Sequence, residues 1–80
     1  YNNMNASDAS IFRLNLHEAE QGNINAQKTV GDLYMLGKGV EQNFSEAAKW
    51  YKTAADRGHA GAQKSLGNMY ANSIGVPQDY

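Results

Sequence analysis

Serine hydroxyls are the groups in this 80-residue chain that could act as nucleophiles, and there are five of them: Ser7, Ser10, Ser45, Ser65 and Ser73. β-Lactam-hydrolysing enzymes activate such a serine with a lysine three residues later. None of the five is followed by a lysine at that distance, and the chain contains no Gly-x-Ser-x-Gly elbow. The serine pattern therefore favours a protein that is not an enzyme.

Residues that could hold a cofactor or a metal ion are equally sparse. Lys38 lies between Gly37 and Gly39, but the longer pattern of a phosphate-binding loop is missing around it. His17 and His59 are 42 positions apart, which matches no short metal-ligand spacing, and the chain has no cysteine. We therefore predict no cofactor and no bound metal.

The charge of the chain is nearly balanced. Seven Lys and Arg residues against eight Asp and Glu residues give a formal net charge of -1, and the isoelectric point is near 6.1. Because a nucleic-acid-binding domain needs a broad basic surface, this balance argues against one. No apolar run approaches the ~18 residues that a membrane-spanning helix needs. We predict a partner that is neither nucleic acid nor membrane, and the compartment stays open.

An internal repeat with an offset of 36 positions organises these residues. When residues 25–44 are laid over residues 61–80, eight of twenty positions are identical. Ordinary composition would give about one or two identities. Among the recurring pairs are Gly31 with Gly67 and Tyr34 with Tyr70. The chain thus contains two periods and 8 further residues.

The phases of this repeat predict four helices. Apolar residues at helical spacing place them at about 8–21, 24–36, 44–57 and 61–72. Asn43, three residues before Glu46, is typical of a helix N-cap, and Ser7 and Asp79 fall at the same phase. The buried stripe predicted for the first helix consists of Ile11, Phe12, Asn15 and Ala19.

The connections between these helices predict antiparallel hairpins. The two-residue links at 23–24 and 59–60 are too short for another arrangement. Gly31 and Gly67 lie inside helices, where a glycine costs about 1 kcal/mol relative to alanine. We therefore expect a neighbouring helix to approach closely at both glycines. The sequence predicts an all-α fold of about four helices.

Two sets of residues give the chain its resemblance to a known family. One set lies in the last helix and the loop after it: Ala62, Leu66, Gly67, Tyr70, Gly75, Val76 and Asp79. The other set lies in the preceding helix: Ala47, Ala48, Trp50, Tyr51, Ala54, Ala55 and Gly58. With the Gly-x-Gly-Val loop at 37–40, nearly the whole chain resembles the Sel1-like repeats, relatives of the tetratricopeptide repeat. The first helix departs from the pattern, since Leu14 and Asn15 replace the Trp-Tyr pair.

The resemblance implies a right-handed α-α solenoid of antiparallel helix hairpins. Residues 1–80 would be a fragment of one array, with 1–22 the second half of a preceding repeat, 23–58 a complete repeat and 59–80 the first half of the next. The resemblance also implies an adaptor or scaffold that binds a protein or peptide, in the bacterial periplasm, secreted, or in the eukaryotic ER. A β-lactam-binding hydrolase is a remote alternative.

A binding surface is predicted on the concave side. In helical-hairpin solenoids the first helices of successive repeats line that side, where extended partners bind. The residues opposite the apolar stripe on these helices are therefore the predicted binding residues: Lys28, Asp32, Met35, Lys64 and Asn68. An alternative reading of Lys28 and Asp32 is an exposed i, i+4 charge pair without a partner.

Self-assembly is the alternative function hypothesis. The helix over 61–72 has a neighbour on one side only, so we expect its apolar residues Leu66, Met69 and Tyr70 to be partly bare. Exposed apolar patches promote association. The first helix of another copy has the matching phase and could dock there head to tail.

Overall fold

A computed structural model describes residues 6–72 and 74 of the chain. These residues form four α-helices: α1 (Ala6–Glu20), α2 (Ile24–Leu36), α3 (Phe44–Asp56) and α4 (Ala60–Asn72). No strand occurs within the described part. The predicted all-α fold of about four helices is confirmed, and the helix bounds differ from prediction by no more than two residues.

Side chains at the N-termini explain where three of the helices begin. The Asn23 and Asn43 side-chain oxygens accept hydrogen bonds from the backbone N–H groups three residues later, at 2.9 and 3.0 Å. His59 does the same for α4, because its Nδ1 accepts from the N–H of Ala62 at 3.1 Å. The predicted cap at Asn43 is confirmed. The predicted cap at Ser7 is wrong, because α1 already includes Ser7; Asp79 lies outside the described residues.

Consecutive helices pack against each other along the chain, which is the arrangement of a solenoid. One apolar cluster is centred on α1 and α2: Phe12, Ala19, Ala26, Val30 and Leu33. The other is centred on α3 and α4: Ala47, Ala48, Tyr51, Ala54, Ala62 and Met69. The Tyr34 ring packs against both and meets Phe12 edge-on, with ring centroids 5.2 Å apart. The two clusters therefore form one continuous core.

Each of the two hairpins contains the same type of hydrogen bond, at equivalent positions of the repeat. Gln27 on α2 donates from Nε2 to the carbonyl of Ala19 at 3.2 Å. Gln63 on α4 donates from Nε2 to the carbonyl of Ala55 at 3.1 Å. Donor and acceptor are both offset by 36 residues, so the period found in the sequence is also the period of the three-dimensional contacts.

The packing of α2 against α3 depends on Gly31. A Cβ at Gly31 would lie 2.6 Å from Cε1 of Tyr51, so only glycine lets the ring come this close. The close approach predicted at Gly31 is confirmed. The same prediction is wrong for Gly67, where a Cβ would meet no described atom within 4 Å. The physical reason is that α4 has no described helix on that side.

The loop after α2 is held against the start of α1. Gly39 has a φ of 77° and is buried, and a Cβ there would clash with the carbonyl oxygen of Asp8. On α1 itself Phe12 and Ala19 are buried as predicted. Ile11 is 49% exposed, contrary to its predicted place in the buried stripe, because α2 is the one described helix that packs extensively against α1 and does not cover this residue.

Candidate functional site

A concave cleft of about 380 Å³ opens between α2, α3 and α4. Its position follows from the packing of the helices, since α3 lies against both α2 and α4. The residues that line the cleft are Asp32, Met35, Leu36, Tyr51, Ser65, Asn68, Met69, Asn72 and Ile74. The lining thus combines apolar side chains with amide, hydroxyl and carboxylate groups.

Polar contacts among three helices fix the cleft around Tyr51. The Tyr51 ring is only 3% exposed, and its hydroxyl donates a hydrogen bond to Oδ1 of Asp32 on α2. The other carboxylate oxygen of Asp32 accepts from Nζ of Lys28 at 2.6 Å. The Ser65 side chain on α4 lines the cleft beside Tyr51 and lowers the pKa of its hydroxyl. Polar groups from α2, α3 and α4 therefore meet at the cleft.

The surroundings of Tyr51 keep its hydroxyl protonated. Burial raises the pKa of Tyr51 above the ordinary tyrosine value, and the hydrogen bond to Asp32 and that carboxylate's charge raise it further. Ser65 acts in the opposite direction, with the smallest of the four effects. Tyr51 consequently serves as a neutral donor at physiological pH.

Apolar side chains supply the other part of the lining. Leu36 is 68% exposed at the cleft, which is a high exposure for a leucine at the end of a packed helix. Met35 and Ile74 are half-buried, and Met69 is buried. A concave surface with exposed apolar groups and a few fixed polar groups is the usual composition of a ligand-binding site.

The structure separates the five sequence-predicted binding residues into two groups. Asp32, Met35 and Asn68 line the cleft. Lys28 is not part of the lining but forms an ion pair with Asp32, and both side chains are about one-third exposed. Lys64 is exposed and forms no ion pair within residues 6–72, because Asn68 stands where Asp32 stands one period earlier. Their role in binding stays a prediction.

Several cleft residues were not anticipated from the sequence, and Tyr51 is the most informative of them. Helical spacing alone indicates a packing role for Tyr51, which describes the ring and leaves out the hydroxyl. A buried tyrosine hydroxyl needs a polar partner, and Asp32 is the acidic residue on the helix that Tyr51 contacts. Leu36 and Ser65 were missed because their positions depend on how α2 and α4 are placed across α3.

The edge of α4 differs in part from the prediction for self-association. Tyr70 is 39% exposed and Leu66 is half-buried, as expected for a helix with one neighbour. Met69 is only 2% exposed and belongs to the core between α3 and α4, so it is not part of a bare face. The physical reason is that Met69 occupies the phase of Leu33, which faces the preceding helix.

The described part of the chain shows neither a cluster of metal ligands nor a membrane-spanning helix. Within residues 6–72 and 74, no group of three or more His, Cys, Asp or Glu side chains is placed so that it could hold a metal ion. In the same part of the chain, no helix combines the length and apolar character needed to cross a bilayer.

The helix hairpins, each stacked on the next along the chain, define an α-α solenoid repeat protein. The profile of the Sel1 repeat matches residues 24–59 and 60–80. The chain therefore belongs to the Sel1 repeat family. Members of this family generally mediate protein-protein interactions, and their fold is typically a non-catalytic scaffold. The first match is 36 residues long, which equals the internal offset.

Two solved structures resemble the chain closely. A Sel1 repeat protein from Oxalobacter formigenes is 36% identical, with a TM-score of 0.87 over 90% of this chain and 30% of that one. The protein c5321, a protective antigen present in uropathogenic Escherichia coli strains displaying an SLR fold, is 35% identical, with a TM-score of 0.84 over 86% of this chain and 15% of that one. The chain thus spans under a third of each protein's length. No curated protein sequence matches it significantly.

Proposed function

We propose that the chain is a protein-interaction module that binds an extended segment of a partner protein in the cleft between α2, α3 and α4. The observation that carries this proposal is the cleft itself, in which a fixed polar network lies beside the exposed Leu36 side chain. The family's general role in protein-protein interaction supports it. The adaptor or scaffold role and the partner belong to the proposal.

The chemistry of the lining favours a peptide that has an apolar anchor next to hydrogen-bonding groups. Leu36, Met35 and Ile74 offer contacts to an apolar side chain. The Asn68 amide carries both donors and an acceptor, so it can satisfy the N–H and C=O groups of an extended backbone. Asp32 is the charged residue of the lining, and it favours a donor or a cation on the partner.

The same residues weigh against catalysis. An attack by Ser65 would need a neighbouring base, and the titratable hydroxyl with which Ser65 interacts in the cleft is that of Tyr51. Because the pKa of Tyr51 is raised, its hydroxyl does not accept a proton near neutral pH. We therefore propose a non-enzymatic function, and we expect no hydrolysis of a chromogenic β-lactam above the uncatalysed rate.

The experiment that tests the proposed cleft uses two exposed leucines as a matched pair. Random dodecamer peptides displayed on phage would be selected on the immobilised chain, and enriched peptides would be synthesised and titrated. Leu36→Asp changes the cleft, whereas Leu14→Asp makes the same change on α1, where Leu14 is 61% exposed. Both variants should keep the helical circular dichroism of the parent chain.

We expect Leu36→Asp to weaken peptide binding about tenfold or more, because it places a charge where the bound peptide would bury an apolar side chain. Leu14→Asp should leave the Kd unchanged. Equal loss in both variants, or unchanged binding in Leu36→Asp, would show that the peptides bind elsewhere. Asp32→Asn provides a second readout, since it should weaken basic peptides more than neutral ones.

A further inference from the structure

The outward face of α4 lacks a contact that the equivalent face of α2 makes. Gly31 on α2 admits the ring of Tyr51, and Gly67 stands at the same position on α4. A Cβ at Gly67 would meet no described atom within 4 Å. Glycine inside an exposed helix costs about 1 kcal/mol relative to alanine, and no contact of α4 in the described residues offsets that cost. Gly67 thus suits a helix that packs against this face.

Tyr70 and Gln63 complete the same face. Tyr70 is equivalent to Tyr34, which is half-buried and packs against both clusters of the core, yet Tyr70 itself is 39% exposed. Gln63 is equivalent to Gln27, which is 3% exposed, yet Gln63 is exposed. We call the surface formed by Gln63, Gly67 and Tyr70 the α4 edge. Each of its residues is more exposed than its equivalent on α2.

A matching surface lies at the other end of the stack, on α1. Its residues Ile11, Leu14 and Asn15 stand 36 positions before Ala47, Trp50 and Tyr51 of α3. On α1, Ile11 is 49% exposed and Leu14 is 61% exposed. We call the surface formed by Ile11, Leu14 and Asn15 the α1 edge. Among the described helices, α1 alone has both the repeat phase of α3 and an exposed face at that phase.

The charges of the two helices are complementary. α1 carries three acidic residues and one arginine, a net charge of -2, whereas α4 carries a single charged residue, Lys64, and has a net charge of +1. Opposite net charges favour the approach of the two surfaces, and the attraction weakens with salt.

From these observations we propose that the α4 edge binds the α1 edge of a second copy of the chain, reproducing between two molecules the α2–α3 packing seen within one. The contact is heterologous, so each copy uses its α4 edge on one neighbour and its α1 edge on another. Asn15 would lie over Gly67 where Tyr51 lies over Gly31. An asparagine fills less of this space than a tyrosine, so the contact between copies is weaker than its internal counterpart.

Two variants block one edge each and leave the monomer fold untouched. Gly67→Gln adds a side chain to the α4 edge, where it meets no described atom and improves helix propensity. Leu14→Asp places a charge on the α1 edge at an exposed position. Leu36→Asp makes the same change as Leu14→Asp but lies at the cleft, so it is the matched control.

The test is sedimentation equilibrium over concentrations from about 10 µM to about 1 mM, with circular dichroism on the same samples. We expect the parent chain and Leu36→Asp to associate as concentration rises. When each variant is measured by itself, Gly67→Gln and Leu14→Asp should both raise the Kd of association about tenfold or more. An equimolar mixture of these two variants should form a 1:1 dimer with the parent Kd, because the mixture still offers one intact pair of edges.

Three results would overturn the proposal. A folded parent chain that stays monomeric throughout the series would show that the edges do not bind each other. Association that survives both variants, or that is not restored in the mixture, would place the contact on another surface. A parent chain without helical signal at every concentration would show that a second copy does not complete the stack. Because Leu14→Asp spares peptide binding and Leu36→Asp spares association, failure of this proposal is distinguishable from failure of the cleft.

Discussion

The ring of Tyr51 lies against the backbone of Gly31, so close that a methyl group on Gly31 would come within 2.6 Å of the ring. The approach lets the Tyr51 hydroxyl cross to α2 and donate to Asp32. The glycine therefore does more than allow two helices to pack. It sets the position of the hydroxyl that joins α3 to α2 at the cleft.

Alanine at the two equivalent glycines should have opposite effects. Gly31→Ala should lower the free energy of unfolding by about 1–2 kcal/mol, because the clash with Tyr51 outweighs the gain in helix propensity. Gly67→Ala should raise it by roughly 0.5–1 kcal/mol, since its new Cβ meets no described atom. Urea denaturation of dilute samples, followed by circular dichroism, measures both. If the two variants shifted stability in the same direction, the contact at Gly31 would not be the reason for its glycine.

The hydroxyl of Tyr51 should make stability depend on alkaline pH. Burial first, then the hydrogen bond to Asp32 and its charge, raise the pKa of Tyr51 in the folded chain. The folded chain thus keeps a proton that the unfolded chain loses near pH ~10. The stabilisation is complete below that pH and is lost as pH rises above it, by up to about 1.4 kcal/mol per pH unit for one proton. Urea titrations at several alkaline pH values measure this slope.

Tyr51→Phe isolates this effect. The variant should be about 1–2 kcal/mol less stable at neutral pH, because Asp32 loses its donor, and its stability should fall less steeply in alkali. Tyr70→Phe removes the same atom from an exposed ring and should change stability at neutral pH by less than about 0.5 kcal/mol. A Tyr51→Phe chain with the alkaline slope of the parent would contradict the assignment.

The ion pair between Lys28 and Asp32 should contribute unequally through its two members. Lys28→Met should cost roughly 0.5 kcal/mol, the usual value for a partly exposed i, i+4 pair. Asp32→Ala should cost about 1–3 kcal/mol, because it also leaves the buried Tyr51 hydroxyl without its acceptor. Denaturation at low and high salt checks both values: the ion-pair loss common to both variants should shrink with salt, whereas the further loss in Asp32→Ala should remain. Equal losses would show that Tyr51 is satisfied without Asp32.

The cap of α4 should be improvable by copying the cap of α2. His59→Asn should raise stability by roughly 0.5–1 kcal/mol, because an asparagine oxygen is a better N-cap acceptor than a histidine nitrogen. The reciprocal Asn23→His is the control and should destabilise α2. Exchange of the Ala62 amide proton reports the cap directly, and it should slow in His59→Asn.

The helices and their order could be predicted because the repeat shows the same pattern twice. Apolar spacing predicted both ends of α2 to within one residue, and Asn43 indicated where α3 begins. The predicted cap at Ser7 was wrong because it rested on the repeat phase alone. No Glu or Gln follows Ser7 three residues later, and α1 begins earlier. Local signals thus located each helix that had its own cap.

The cleft could be predicted only in part, because it depends on distances between helices. Asp32, Met35 and Asn68 were found since they lie opposite an apolar stripe, which is a property of one helix. The hydroxyl of Tyr51 was missed because its partner is 19 residues away on another helix. The prediction that Met69 is partly bare was wrong for a related reason. The apolar stripe of one helix does not show which of its residues face α3 and which are exposed.

The hydrogen bonds from Gln27 to Ala19 and from Gln63 to Ala55 have a consequence for how such a chain changes length in evolution. Because donor and acceptor recur together every 36 residues, deletion of residues 24–59 by recombination would bring Gln63 opposite Ala19 with the same spacing that Gln27 has now. Duplication of that segment would equally preserve every bond. Gain or loss of a whole period is therefore structurally neutral at the junction, whereas an indel of another length inside a helix would break the register on both sides.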